Sequence, residues 1–158
     1  MGNERLKFIV DHNVGRIAKW LRMVGYDALL FTGTNDTDMV NTALTENRIL
    51  LTRDTQIMQR RVATNGQLKI ILIKSDRFEE QIKQVTYALK LDSHDFLPFT
   101  ICLECNRPLV YKSKEDVKNK VPSYVFQTQT QYMECPVCHR IYWRGTHWQS
   151  MVRKIESL

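Results

Sequence analysis

Cys102-Leu103-Glu104-Cys105 and Cys135-Pro136-Val137-Cys138 are two Cys-x-x-Cys pairs separated by 29 residues. Four thiolates presented by two such turns match tetrahedral Zn²⁺. A site closed by four sulfurs is structural, because no coordination position stays open for water. A redox dithiol is the competing chemistry, but it needs one pair opening a helix after a strand. Here both pairs lie in the last third of the chain, outside its alternating strand and helix pattern. His139 and His147 follow the second pair; with four thiolates filling the tetrahedron, supporting or surface roles remain for them.

The second set of candidate groups is a series of aspartates that each follow an apolar run. Asp11 comes directly after Phe8-Ile9-Val10, Asp36 and Asp38 after Ala28-Leu29-Leu30-Phe31, Asp54 after Ile49 to Thr52, and Asp76 after Ile70 to Ile73. Carboxylates gathered at one edge suit hard cations, and Mg²⁺ and Mn²⁺ take oxygen ligands while keeping several waters. Aspartate is also a favoured helix N-cap, and each of these positions precedes or opens a helical segment. Asp76, with Glu79 three residues on, fits a capping box. Asp36 has Thr37 and Asp38 as rivals for a cap, and Asp38 reads as a first-turn partner of the helix dipole. Asp11 and Asp54 follow their strands directly, where a carboxylate is costly unless paired or bound to metal.

The elements that must position these acids are legible as an alternation. After the run at Phe8, the residues Ile17, Trp20, Leu21 and Val24 recur at helical spacing, and Gly25 ends that helix. A second strand at 28–31 leads to a helix marked by Met39, Val40, Ala43 and Leu44. Then come a strand at 49–51, a helix over 56–63, a β-branched strand at 69–73 and a helix lined by Ile82, Val85 and Leu89. Strands without internal polar alternation, separated by helices, predict a parallel sheet covered on both faces, an α/β sandwich with right-handed connections. The pattern breaks around Asp92-Ser93-His94-Asp95, so the expected division is an α/β domain over 1–95 and a cysteine domain over 96–158. The charged stretch 112–120 reads as a solvated loop or short helix.

The 158 residues, 43% of them hydrophobic, can build one ordinary domain or two small ones. A net charge of +6 and a pI near 9.2 favour an anionic partner such as nucleic acid. No apolar run approaches the roughly 20 residues of a membrane-spanning helix, so no membrane partner is expected. The opening residues carry no signal-peptide core, and the clustered thiols suit a reducing compartment; the expected location is cytoplasmic.

Basic residues surround the acids. Arg16 and Arg53 stand closest in sequence and fit phosphate contacts, while Lys19 and Arg22 fit a solvated helix face. The segment 139–154 combines Arg140, Arg144, Arg153 and Lys154 with Tyr142, Trp143, His147 and Trp148, and contains no acid. Single-stranded bases stack on aromatic rings while cations bind phosphate, so Arg140, Arg144 and Trp143 are candidate RNA contacts. Tyr142 and Trp148 fit packing of the small domain equally well.

The runs FIVDHNVGRIAKWLRMVGYDALLF, DTDMVNTALTENRILLTRD and IKSDRFEEQI resemble the Mut-seven C-terminal RNase family, a PIN-like ribonuclease branch with an appended zinc ribbon. The most specific parts are Gly15 to Arg22, the triplet Thr52-Arg53-Asp54 and the Cys-Pro-x-Cys segment, and the resemblance spans Lys7 to Met151. It implies a PIN-like three-layer sandwich with a parallel central sheet, followed by the ribbon. It further implies RNA cleavage with Mg²⁺ or Mn²⁺ held by Asp11, Asp36 and Asp54, with Asp76 as a fourth catalytic acid. His139 departs from the small residue expected after the last cysteine. The expected function is a metal-dependent ribonuclease whose ribbon binds or positions RNA. The alternatives are a non-catalytic RNA- or ribosome-binding protein on the same fold and a toxin-like nuclease controlled by a partner.

Overall fold

The computed structural model describes residues 4–146 together with 149, 150 and 153. Backbone contacts divide the chain into two compact units, one of residues 1–22 and 26–92, the other of 23–25 and 93–158. Among the described residues no helix is long and apolar enough to cross a membrane.

In the first unit the strands are β1 (Lys7–Asp11), β2 (Asp27–Phe31), β3 (Ile49–Thr52) and β4 (Ile70–Leu72). The helices are α1 (Arg16–Met23), α2 (Asp36–Thr45), the short α3 (Arg61–Thr64) and α4 (Phe78–Leu89). All three strand pairings are parallel and the sheet order is β2-β1-β3-β4. Ile9 and Leu50 turn to one face and pack with Met39, Val40 and Ala43 of α2. Phe8, Val10 and Leu51 alternate to the other face and are equally buried, which makes this the two-sided sheet that the uninterrupted apolar runs predict. Arg16 at the start of α1 stacks on the Phe78 ring at the start of α4, 4.4 Å from its centre, so these two helices begin side by side.

Two details of the first unit depart from expectation. The helix expected over 56–63 is a 3-10 turn at Ile57–Gln59 followed by α3, broken where Arg60 takes extended backbone. Arg60 reaches instead to Thr37 Oγ1 at 3.1 Å, and Ile57 drops into the core. Arg22 is buried rather than solvated: its Nε donates to Ala28 O at 2.9 Å, satisfying a carbonyl of edge strand β2.

The edges of the sheet are secured by side chains. Gln84 of α4 donates to Leu72 O and accepts from Lys74 N–H, extending the ladder of β4 by one amide, and Gln81 donates to Ser75 O. At the opposite end of the strands, Arg48 donates to Phe8 O at 3.0 Å, to both Asp27 oxygens and to Glu46. Burial opposes its charge, but the bonds to Asp27 and Glu46 outweigh it and hold its pKa above the ordinary value.

The second unit contains β5 (Val110–Lys112), α5 (Ser123–Thr128), β6 (Tyr132–Glu134) and β7 (Ile141–Tyr142), with the strands antiparallel in the order β5-β6-β7. Alternation along these short strands produces two faces. Met133 and Tyr142 pack with the cysteines, whereas Tyr132, Ile141 and Trp143 pack with Val117 and Val125 from the connection between β5 and β6. Tyr132 is fully buried and donates to Val125 O and Gln129 O, tying α5 to the sheet. The stretch 112–120 is thus a series of turns around buried Val117, not a wholly solvated loop.

Replacing Arg48 by Met removes a nearly buried guanidinium that serves a backbone carbonyl and two carboxylates. Urea unfolding is expected to show a loss of about 1–3 kcal/mol, with no change in the zinc content of the second unit.

Candidate functional site

Parallel strands direct their C-terminal ends to one edge of the sheet, and loop-borne groups collect there. The four aspartates follow those four ends, and their burial tracks strand position. Asp11 ends central strand β1 and is 5% exposed. Asp54, two residues beyond central strand β3, and Asp36, beyond edge strand β2, are half-buried, while Asp76, beyond edge strand β4, is exposed. With neighbouring strands roughly 4.8 Å apart, the ends of β2, β1 and β3 are contiguous. β4 adds a third spacing, so Asp76 stands furthest from Asp36 along the edge.

Helix capping does not account for these acids. The N-cap of α2 is Asn35, whose side chain accepts from Thr37 N–H, and Asp36 occupies the first turn with Asp38. Asp76 does not form the expected capping box: Arg77 is the N-cap of α4 without a side-chain bond, and Ser75 Oγ accepts the Arg77 N–H. Asp11 precedes a 3-10 turn (His12–Val14) and makes no capping bond. Asp54 Oδ1 accepts from Gln56 N–H at 2.9 Å, a local turn that fixes its loop.

The residue that connects two of these acids was not foreseen. Thr52, the last residue of β3, is fully buried. Its Oγ1 donates to Asp11 Oδ2 at 2.8 Å and accepts from Asp54 N–H at 3.0 Å. One hydroxyl therefore orients the carboxylate of β1 and the loop after β3. The sequence hints at it as a small hydroxyl residue that ends a buried apolar run and opens the triplet Thr52-Arg53-Asp54. His12 is the second addition: its exposed ring places Nδ1 3.1 Å from Asp11 Oδ1, where it can hold or pass a proton.

Among the described residues, the acids form no convergent group of three ligands; the cysteines do. The oxygen-only donor set at the strand ends still suits a hard divalent ion. Like charges along one edge repel unless a cation stands among them. Arg16 is exposed but engaged on Phe78, and Arg53 is exposed beside Asp54 in sequence.

Cys102, Cys105, Cys135 and Cys138 bring their sulfurs within 4.8 Å of one another, a donor set that fits tetrahedral Zn²⁺. The two pairs are built alike. Cys102 N–H donates to Arg107 O and Asn106 N–H to Cys102 O; Cys135 N–H donates to Arg140 O and His139 N–H to Cys135 O. Both turns therefore need left-handed backbone at the residue after the second cysteine, and Asn106 and His139 take it, with φ of 58° and 63°. His139 thus occupies a position that glycine or asparagine fills more cheaply, which is why a small residue is expected there.

The thiols do not share charge evenly without a cation. The Arg140 N–H draws Cys138 down to about 6, while Cys105, bonded first to Cys138 and then desolvated, is pushed up to about 12. A bound cation has to displace the remaining protons, so affinity for zinc falls as pH falls. Tyr142 is raised by burial and by Cys102, whose sulfur lies 3.1 Å from the phenol oxygen. That phenol also accepts from Leu103 N–H. Tyr142 is therefore a packing and supporting residue of the cysteine site. The Arg140 guanidinium bonds Cys138, and Arg144 lies over the Phe99 ring at 5.7 Å. Trp143 is half-buried against the Val117 cluster. His147, Trp148 and Lys154 lie outside the described residues.

The family model described as Mut7-C RNAse domain matches residues 6–155. No curated protein and no solved structure gives a significant match.

Thr52→Val keeps the shape and deletes both bonds, leaving the Asp11 carboxylate and the Asp54 N–H short of a partner. Denaturant unfolding should register a loss of about 1–3 kcal/mol, largely restored in Thr52→Ser. In the second unit, His139→Gly relieves left-handed strain and is expected to raise zinc-loaded stability by about 1 kcal/mol. Thermal unfolding against a fixed zinc chelator reads that gain.

Proposed function

The chain belongs to the Mut7-C RNAse domain family, and on that premise we propose that it is a metal-dependent ribonuclease hydrolysing phosphodiester bonds of single-stranded RNA. The observation that carries this reading is the Asp11 carboxylate, buried at the functional edge of a parallel sheet and oriented by the Thr52 hydroxyl that also anchors the Asp54 loop. Among the described residues the partners of Asp11 are the Thr52 hydroxyl and the His12 ring, and a carboxylate held this way at a strand end suits a metal ligand.

In this reading Asp11, Asp36 and Asp54 hold Mg²⁺ or Mn²⁺, and Asp76 has an outer part at most, since its strand is furthest along the edge and it is exposed. When bound, such ions acidify water and offset the charge that develops on the phosphate. The protein's own residues do the remainder. Thr52 keeps the Asp11 oxygens in one orientation, the Asp54 turn limits the freedom of that loop, and Arg53 is available to the RNA phosphates beside it. His12 sits at hydrogen-bond distance from Asp11 and can carry a proton between that carboxylate and solvent. The domain arrangement proposed is a nuclease domain over 1–95 and a zinc ribbon over 96–158 whose Arg140, Arg144 and Trp143 bind or position RNA. Free, clustered thiols support a reducing, cytoplasmic setting.

A non-catalytic RNA-binding protein is the second reading, favoured by the fact that the acids are not drawn together as a ligand group. Cleavage of labelled single-stranded RNA by zinc-loaded protein separates the two. Activity should require added Mg²⁺ or Mn²⁺ and fall at least about 100-fold in Asp11→Asn and Asp54→Asn, each still folded. Binding without cleavage under every divalent condition would refute the enzyme.

A further inference from the structure

A concavity of about 510 Å³ in the second unit is lined by Lys120, Glu134, His139, Arg140, Ile141 and Trp143. Its size lies within the range of small-ligand sites, about 300–1,000 Å³. Its chemistry is unusual in one respect. Glu134 is on the apolar face, directly opposite Ile141 in β7 and Val110 in β5, and its side chain is only 14% exposed. A carboxylate so placed is costly unless something uses it. Lys112 Nζ lies 3.8 Å from Oε2, an ion pair beyond hydrogen-bond length.

We propose that this concavity binds a single unpaired guanine of RNA, an inference that rests on RNA being the substrate. The indole of Trp143 and the side chain of Ile141 offer an apolar and aromatic wall for a base, and Lys120 and Arg140 supply positive charge for the flanking phosphates. In the lining Lys120 and Arg140 outnumber Glu134, so the cavity attracts a polyanion and repels a basic peptide. Glu134 selects the base. An ionised carboxylate only accepts, with two oxygens side by side. Guanine alone presents two adjacent donors, N1–H and the N2 amino group, on its Watson–Crick edge. Adenine and cytosine each pair a donor with an acceptor there, and uracil flanks its one N–H with two carbonyls that a carboxylate repels.

Fluorescence anisotropy tests this on the zinc-loaded full chain without Mg²⁺ or Mn²⁺, using labelled U4GU4, U4AU4 and U9 oligoribonucleotides. The expected result is about tenfold tighter binding of U4GU4 than of the other two. Glu134→Gln should equalise the three while zinc stoichiometry stays at the wild-type value, and Trp143→Ala should weaken all of them. Equal binding of the three by wild type overturns the proposal, as does a guanine preference that survives Glu134→Gln. A cleavage assay on the same protein separates the two ideas. Cleavage with no guanine preference sinks the pocket alone; guanine-selective binding without cleavage sinks the ribonuclease reading alone; failure to bind any of the oligonucleotides sinks the pocket.

Discussion

The hydroxyl of Thr52 is the junction on which the proposed active edge depends. A parallel sheet buries its central strands from both faces, so whatever ends β1 and β3 is close to the core before it reaches solvent. Asp11 ends the first of these strands, and a carboxyl group buried there needs hydrogen-bond partners. The neighbouring strand supplies it through a residue that is small enough to be fully buried yet polar enough to donate. The same oxygen then receives the Asp54 N–H. The alignment of Val10 with Leu51 in the ladder sets Asp11 beside Thr52, so strand register, more than loop geometry, dictates which acid is oriented.

At the other end of the strands Arg48 performs the complementary task. It gathers Asp27, Glu46 and the Phe8 carbonyl, so the acids at that end are matched by a cation within contact distance. At the C-terminal edge, among the described residues, the partners of Asp11 are Thr52 and His12. The contrast is informative because the two ends share one sheet and one solvent. At the N-terminal end a carboxylate receives a guanidinium; at the C-terminal end the Asp11 carboxylate receives a hydroxyl and an imidazole, which is the arrangement the proposed cation site would use.

Much of this was legible in the residues, and the failures have physical causes. Period and composition identified the four parallel strands because uninterrupted apolar runs such as Ile49-Leu50-Leu51 have few other uses. The cysteine spacing identified the ribbon because two short turns with four sulfurs have one common chemistry. The bonding role of Thr52 is not legible beyond its place in the Thr52-Arg53-Asp54 triplet, because a single threonine has no periodicity and its importance arises only from register. Arg22 was misjudged because helical spacing says which side of α1 is apolar but not that an edge-strand carbonyl waits within reach of a long side chain. The capping box at Asp76 fails because the helix begins one residue later, with Arg77 as its N-cap. Glu134 has no signal in the sequence because a lone glutamate in an otherwise uncharged run reads as a solvated charge, and only the pairing of β5, β6 and β7 turns it toward the apolar face.

The two proposed metal sites make opposite demands on the chain. Four sulfurs within 4.8 Å of one another, one of them an acidified thiol and another held protonated, form a cluster presented by two short turns and supported by the Tyr142 phenol. The ribbon has a modest apolar core, so its cation acts as part of the fold and must be closed to water. At the strand ends the scaffold is complete without any ion, because Ile9, Leu50 and their partners already pack it. A cation there can come and go without unfolding the sheet, and that reversibility is what an oxygen-lined site needs if its ligands are to exchange with water and phosphate.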